Sequence, residues 1–241
     1  MADRACIVVG AGDATGGAVA RRFAREGYVA CPVRRRVESL SHLVRDIVDD
    51  GGSAIAFGRD ARKEDEVVAL FDEVEAGVGP VEVVVFNIGA NVRFAFAELE
   101  VRKFVKIWEM ACFAGFLTTR EALRRMAPRG RGTILVTGAS ASVKGYAHGA
   151  AFASAKFALR GMTQSLAREA APLGVHVAHV VIDGAIDTAF IRDNFPERYA
   201  LKDRDGLLDP DAIAETYWQI HRQPSNAWTH ETDLRPWIES F

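Results

Sequence analysis

Between an apolar run, Cys6-Ile7-Val8-Val9, and an amphipathic one, Ala18-Val19-Ala20-Arg21-Arg22-Phe23, the chain reads Gly10-Ala11-Gly12-Asp13-Ala14-Thr15-Gly16-Gly17. Glycines between a strand and a helix let the backbone turn tightly and bring amide N–H groups and the helix N-terminus against a pyrophosphate. A plain tight turn is the other reading of the same residues. Their place, directly after a first strand and inside a strand–helix–strand unit, favours the phosphate cradle. A second signal stands at the end of the next apolar run, where Arg34-Arg35-Arg36 follow Val33. An acidic side chain there accepts hydrogen bonds from the ribose of NAD, whereas a guanidinium pairs with the 2′-phosphate of NADP. Arginine runs also occur as solvated turns. The location favours a clamp formed by Arg34 and Arg35, and so NADP over NAD.

These residues need elements to hold them, and the chain supplies a regular series. Apolar runs of strand length at 5–9, 28–33, 53–58, 81–86, 132–137 and 175–182 alternate with helical stretches near 16–26, 38–50, 62–76, 101–127 and 150–172. Val67, Leu70, Phe71 and Val74 illustrate the three- and four-residue spacing of the helices. Such alternation predicts an α/β fold, a single-domain doubly wound parallel sheet of Rossmann type with helices on both faces, spanning 1–241. From Asp183 onward the pattern changes to a helical stretch near 187–199, the polar loop Lys202-Asp203-Arg204-Asp205-Gly206 and a helix opening at Asp209-Pro210. Loops after late strands close over ligands in open α/β sheets, so 183–208 is expected to form a substrate-side flap. The aromatic tail with Trp218, Trp228 and Trp237 reads as C-terminal packing or a subunit interface.

Composition narrows the partners. In 241 residues, 49% are hydrophobic and 26% charged, which excludes disorder and fibres. Thirty Lys and Arg against 32 Asp and Glu leave a net charge of −2, so no basic field exists to hold nucleic acid or an anionic membrane. Cys6, Cys31 and Cys112 are far apart, which suggests neither a disulfide framework nor a metal site. No apolar stretch approaches membrane-spanning length and Met1-Ala2-Asp3-Arg4 opens no leader-like region, so a small-molecule partner and a cytoplasmic location are expected. His176 and His179 fall within an apolar run and read as sheet residues.

The chain resembles the short-chain dehydrogenase/reductase family over roughly residues 4–190. Gly10 and Gly16 match the first and third glycines of its TGxxxGxG fingerprint, with Val9 for the Thr and Ala14 for the middle glycine. Asp13, Ala14 and Thr15 complete the loop. The resemblance implies that Asp60, with Ala61 beside it, contacts the adenine amino group. Asn87-Ile88-Gly89-Ala90 is similar to the NNAG segment, with Phe86 at its first Asn. Ile182-Asp183-Gly184-Ala185-Ile186-Asp187-Thr188 is similar to the PGxxxT segment that holds the nicotinamide, with Gly184 and Thr188 carried over and Asp183 for Pro.

The catalytic pattern departs from the family. Its YxxxK signature falls on Phe152-Ala153-Ser154-Ala155-Lys156, so Phe152 stands where the family has its proton-donating Tyr, and Lys156 is kept. Ala139 falls at the substrate-binding Ser, with Ser140 next to it, and Ala111 at the helix Asn. Loss of a positioned acid typically forfeits about 10²–10⁴-fold in rate. On the stretch that borders the substrate pocket in the family, Ser140, Ser142, Tyr146 and His148 are substitute candidates. Tyr146 is the chemical mimic and His148 the donor by intrinsic pKa, and each also reads as a solvent-facing loop residue. The expected function is an NADP(H)-dependent oxidoreductase acting on a small organic substrate by a non-standard proton transfer. A non-redox NADP(H)-binding sensor and a lyase or isomerase are the competing readings. The resemblance also implies a homodimer or homotetramer built through 101–127 and 150–172, where Ala151, Ala153, Ala155 and Ala158 permit close helix approach.

Overall fold

In a computed structural model that describes residues 4–239, seven of the strands lie side by side in the order β3-β2-β1-β5-β6-β7-β8, and β4 pairs with β2. The strands are β1 (Arg4–Val9), β2 (Tyr28–Arg34), β3 (Ser53–Ala54), β4 (Phe57–Gly58), β5 (Val81–Phe86), β6 (Gly132–Thr137), β7 (Val175–Ile182) and β8 (Glu231–Leu234). All pairings are parallel. In place of the one strand expected over 53–58, the chain forms two short ones. Pro32 of β2 has no N–H to donate, so the ladder that pairs Ala30 with Ala54 breaks and resumes where Val33 pairs with Phe57.

Helices α1 (Thr15–Arg25), α2 (Ser41–Asp49) and α9 (Pro210–His221) cover one face of the sheet. Helices α3 (Glu64–Gly77), α4 (Val101–Trp108), α5 (Ala114–Met126) and α6 (Ala150–Ala170) cover the other. Strands buried on both faces become continuous Val, Ile and Leu runs, which is why they were legible as such. The single-domain doubly wound α/β fold is thus the observed one. The 101–127 stretch is not one α-helix: a π-turn at Glu109–Phe113 separates α4 from α5. Trp218 packs edge-on against Phe23 and Tyr28, which anchors α9 on α1.

The 183–208 segment forms a pinched excursion. Ile186 bridges Leu208, the Asp187 N–H donates to Leu208 O at 2.8 Å, and α7 (Ala189–Asn194) and α8 (Pro196–Tyr199) lie between. Phe190 and Phe195 meet edge to face on it, largely exposed. No described helix is long and apolar enough to cross a membrane. The N-terminal residues 1–3 of the leader reading and the end of the 1–241 span lie outside the described residues.

Candidate active site

A cavity of about 570 Å³ opens at the carboxyl ends of β1, β2, β4 and β5. This is the place where strand order reverses, because β1 carries β2 on one side and β5 on the other. Gly10 follows β1 with φ +86°, a left-handed conformation that favours glycine, and a Cβ there would stand 2.9 Å from the Asn87 carbonyl. Asn87 closes the other side: its N–H donates to Val9 O at 2.8 Å and its amide to Gly10 O at 3.2 Å. Ile88 and Gly89 continue the wall, and nothing lies within 4 Å of the Gly89 Cβ position.

Arg34, Arg35 and Arg36 enter the same cavity from the end of β2. The Arg34 guanidinium stands over the glycine-rich loop, 3.2 Å from where a Gly12 Cβ would be. Thr15, the first residue of α1, is buried and its Oγ1 has no hydrogen-bond partner among the described residues. Free amides at a helix N-terminus, an unpartnered hydroxyl and three guanidinia form a donor set suited to phosphates. A nicotinamide dinucleotide with a 2′-phosphate therefore fits the residues present. Asp13, Ala14 and Gly16 lie on this loop and helix start, whereas Asp60 and Ala61 line the cavity after β4.

Ser39, Arg59, Arg62 and Met110, which the sequence did not single out, also line the cavity, as does Arg36 beside the expected Arg34 and Arg35 clamp. Arg59 and Arg62 flank Asp60 just after β4, so their place beyond a strand's carboxyl end was the available signal. Met110 carried none, since only the π-turn directs it there. Arg59 pairs with Glu73, and Arg62 forks onto Asp60.

Lys156 lies one wall away. It is 2% exposed, and Nζ donates to Thr137 O at 2.8 Å and Ile88 O at 3.1 Å. Burial lowers its pKa to about 8. Phe152, one helical turn earlier, is buried with its ring centroid 5.8 Å from Nζ. Ala111 is buried within the π-turn, and the Ala139 N–H donates to Ser142 Oγ at 3.1 Å.

Among the substitute donors, Ser140 is half-buried at the start of a short 3-10 turn. The Tyr146 hydroxyl donates to Asn91 Oδ1 at 3.2 Å, Arg93 lies over its ring, and burial raises its pKa. His148 is exposed with φ +66°, and its carbonyl accepts from the Phe94 N–H at 2.9 Å. These contacts zip the loop after β5 to the loop after β6. Thr188 caps α7, accepting the Ile191 N–H at 3.2 Å, and Gly184 packs on Pro236. His176 and His179 are buried in β7, and His179 Nδ1 donates to Glu231 Oε2 at 2.9 Å. Among the described residues no three His, Cys, Asp or Glu could hold a metal.

A sheet of this order with a glycine-rich turn at its reversal point defines a doubly wound α/β protein of Rossmann type. The profile described as short chain dehydrogenase matches residues 4–198. The chain is 30% identical over 191 residues to the 3-oxoacyl-[acyl-carrier-protein] reductase of Bos taurus, covering 79% of each chain. It superposes with a TM-score of 0.84 on a short-chain dehydrogenase from Rhodopseudomonas palustris, at 43% identity over 97% of this chain and 99% of that one. With an alcohol dehydrogenase from Thermococcus sibiricus, complexed with 5-hydroxy-NADP, the TM-score is 0.85 at 26% identity, covering 99% and 98% of the two chains. The chain belongs to the short-chain dehydrogenase family and is an oxidoreductase of that type.

Proposed function

We propose that this chain is an NADP(H)-dependent oxidoreductase of small organic substrates in which the proton is handled without a tyrosine at position 152. The observation that carries the reading is the meeting of Gly10, Arg34, Arg35, Asn87 and Ile88 around one cavity whose wall is tied to Lys156. The 5-hydroxy-NADP held by the Thermococcus sibiricus relative supports the same cofactor class. Gly10, Asp13, Ala14, Thr15 and Gly16 would hold the pyrophosphate, Arg34 and Arg35 the 2′-phosphate, and Gly184 and Thr188 the nicotinamide end. Bound there, the cofactor supplies or accepts a hydride.

The residues of the chain would do the rest. Two Lys156 N–H groups are spent on Thr137 O and Ile88 O, which fixes Nζ and leaves a third. A pKa of about 8 keeps the ammonium charged at neutral pH yet able to release a proton to an anionic oxygen or carbon. Ser140 offers a hydroxyl to the substrate, and the Phe190 and Phe195 pair on the flap offers it an apolar wall. Iminium ions and conjugated alkenes suit such a site, because the first already carries charge and the second can be protonated after hydride arrives. With a conjugated alkene, which takes its proton from Lys156, kcat/KM is expected to fall as pH rises through about 8. A flat profile from about pH 6.5 to 9.5 would move the proton source to Tyr146, whose phenol stays protonated across that range.

Calorimetric titration with NADPH and NADH tests the cofactor reading. Tight binding that favours NADPH is expected, and binding of neither nucleotide would overturn it.

A further inference from the structure

Beyond β4 the chain reads Gly58-Arg59-Asp60-Ala61-Arg62 and doubles back, so that Arg62 meets the side chain two residues before it. Arg62 Nε donates to Asp60 Oδ1 at 2.9 Å and Nη2 to Oδ2 at 2.5 Å. The Arg62 backbone N–H adds a third bond to Oδ1 at 3.1 Å. These bonds hold the Asp60 carboxyl below its usual range. With two donors on Oδ1 and one on Oδ2, a single lone-pair direction remains. A carboxylate already neutralised by a forked guanidinium attracts a further weak N–H donor poorly.

The fork also decides what Arg62 has left to offer. Two-point pairing uses the edge of the guanidinium and leaves its flat faces without hydrogen bonds, and those faces stack on aromatic rings and bases. Arg62 lines the cavity beside Ala61, and Met110 of the π-turn lines it too. Glu109 of that π-turn adds its negative field to that of Asp60 at the guanidinium.

We infer that Arg62 holds the adenine ring by stacking its Asp60-locked guanidinium on the base, and that Asp60 positions Arg62 instead of reading the adenine amino group. The inference rests on the dinucleotide reading above. It is tested on the full chain by calorimetric titration with NADPH, NADH and reduced nicotinamide hypoxanthine dinucleotide phosphate, in which a carbonyl replaces the amino group.

The wild type is expected to bind the hypoxanthine form within about threefold of NADPH, the size of one weak exposed contact. A loss of about tenfold or more on deamination would return the reading of the amino group to Asp60 and overturn the inference. Arg62→Ala should weaken NADPH and NADH alike by about tenfold, since both carry adenine. Arg62→Lys keeps charge and stem without the plane, and should recover little of that loss. Unchanged affinity in Arg62→Ala, or full recovery by lysine, would overturn the stacking role; the lysine variant still reports if the alanine variant folds poorly. Failure of the wild type to bind NADPH or NADH would overturn the dinucleotide reading itself, and this inference with it.

Discussion

In the proposed function, Arg34 is the side chain that separates NADP from NAD. Its guanidinium lies over Gly12, at the junction of the glycine-rich loop and the end of β2. Only NADP presents a dianionic phosphate there, so Arg34→Ala should weaken NADPH by about 10- to 100-fold, the worth of one or two charge-assisted hydrogen bonds, and leave NADH nearly unchanged. Equal weakening of both, read by titration, would reduce Arg34 to solvent-facing charge. Phe152 poses the complementary question. It lies four residues before Lys156 on α6 and already packs near Nζ, so Phe152→Tyr brings a phenol to the lysine with little change of volume. Ketone reduction is expected to rise by about 100-fold in kcat/KM. No rise would assign the limitation to Ala139 and Ala111, which contribute neither a hydroxyl for the substrate oxygen nor an amide for a relay water.

The element with the most to lose on acidification is the β7–β8 edge with α9. His179 in β7 is fully buried and its pKa is lowered to about 4 by burial, although Glu231 of β8 pulls the other way. His221 at the end of α9 is lowered to about 4 by burial, and it joins Tyr28 and Thr133. The unfolded chain takes up these protons as pH falls below about 6.5, whereas the native state resists until about 4. Stability is therefore present above about pH 6.5 and lost across that window, by about 1.4 kcal/mol per pH unit for each histidine. Urea midpoints at pH 7, 5.5 and 4.5 should fall accordingly, and a constant midpoint would refute the assignment. On the other face, the π-turn aligns Trp108 with Phe113, stacked at 6.3 Å, although residues five apart on an α-helix point roughly 140° away from each other.

For the whole molecule, the C-terminal tail clasps the pinched excursion. Arg198 pairs with Glu239 at 2.6 Å, Trp237 Nε1 donates to Arg204 O at 3.0 Å, and Arg235 reaches Asp183 at 3.1 Å. Deleting residues 235–241 should expose 187–207 to limited proteolysis several-fold faster, while the sheet core stays resistant. Cleavage at the wild-type rate would mean that the Ile186–Leu208 bridge and the Lys202–Asp187 pair hold the excursion by themselves.

Much of this was legible in local sequence. Parallel strands buried on both faces become short apolar runs, their connecting helices carry a 3.6-residue period, and the glycine-rich turn and Arg34-Arg35-Arg36 sit at the junctions between them. The order of elements, the class of fold and the meeting of Gly10 with Arg34 and Arg35 at one cavity follow from neighbours along the chain. Pairing across the chain lay beyond that reach. The break opposite Pro32 needed β2 to be placed beside β3 and β4, and the β8 strand needed β7. The Tyr146 hydroxyl met Asn91, 55 residues away. Lys156 was recognisable, but its burial and its two carbonyl partners arise only when α6 packs against the ends of β5 and β6. Local periodicity is written in adjacent side chains, whereas hydrogen-bond partners and desolvation are set by which distant segments the folded chain brings together.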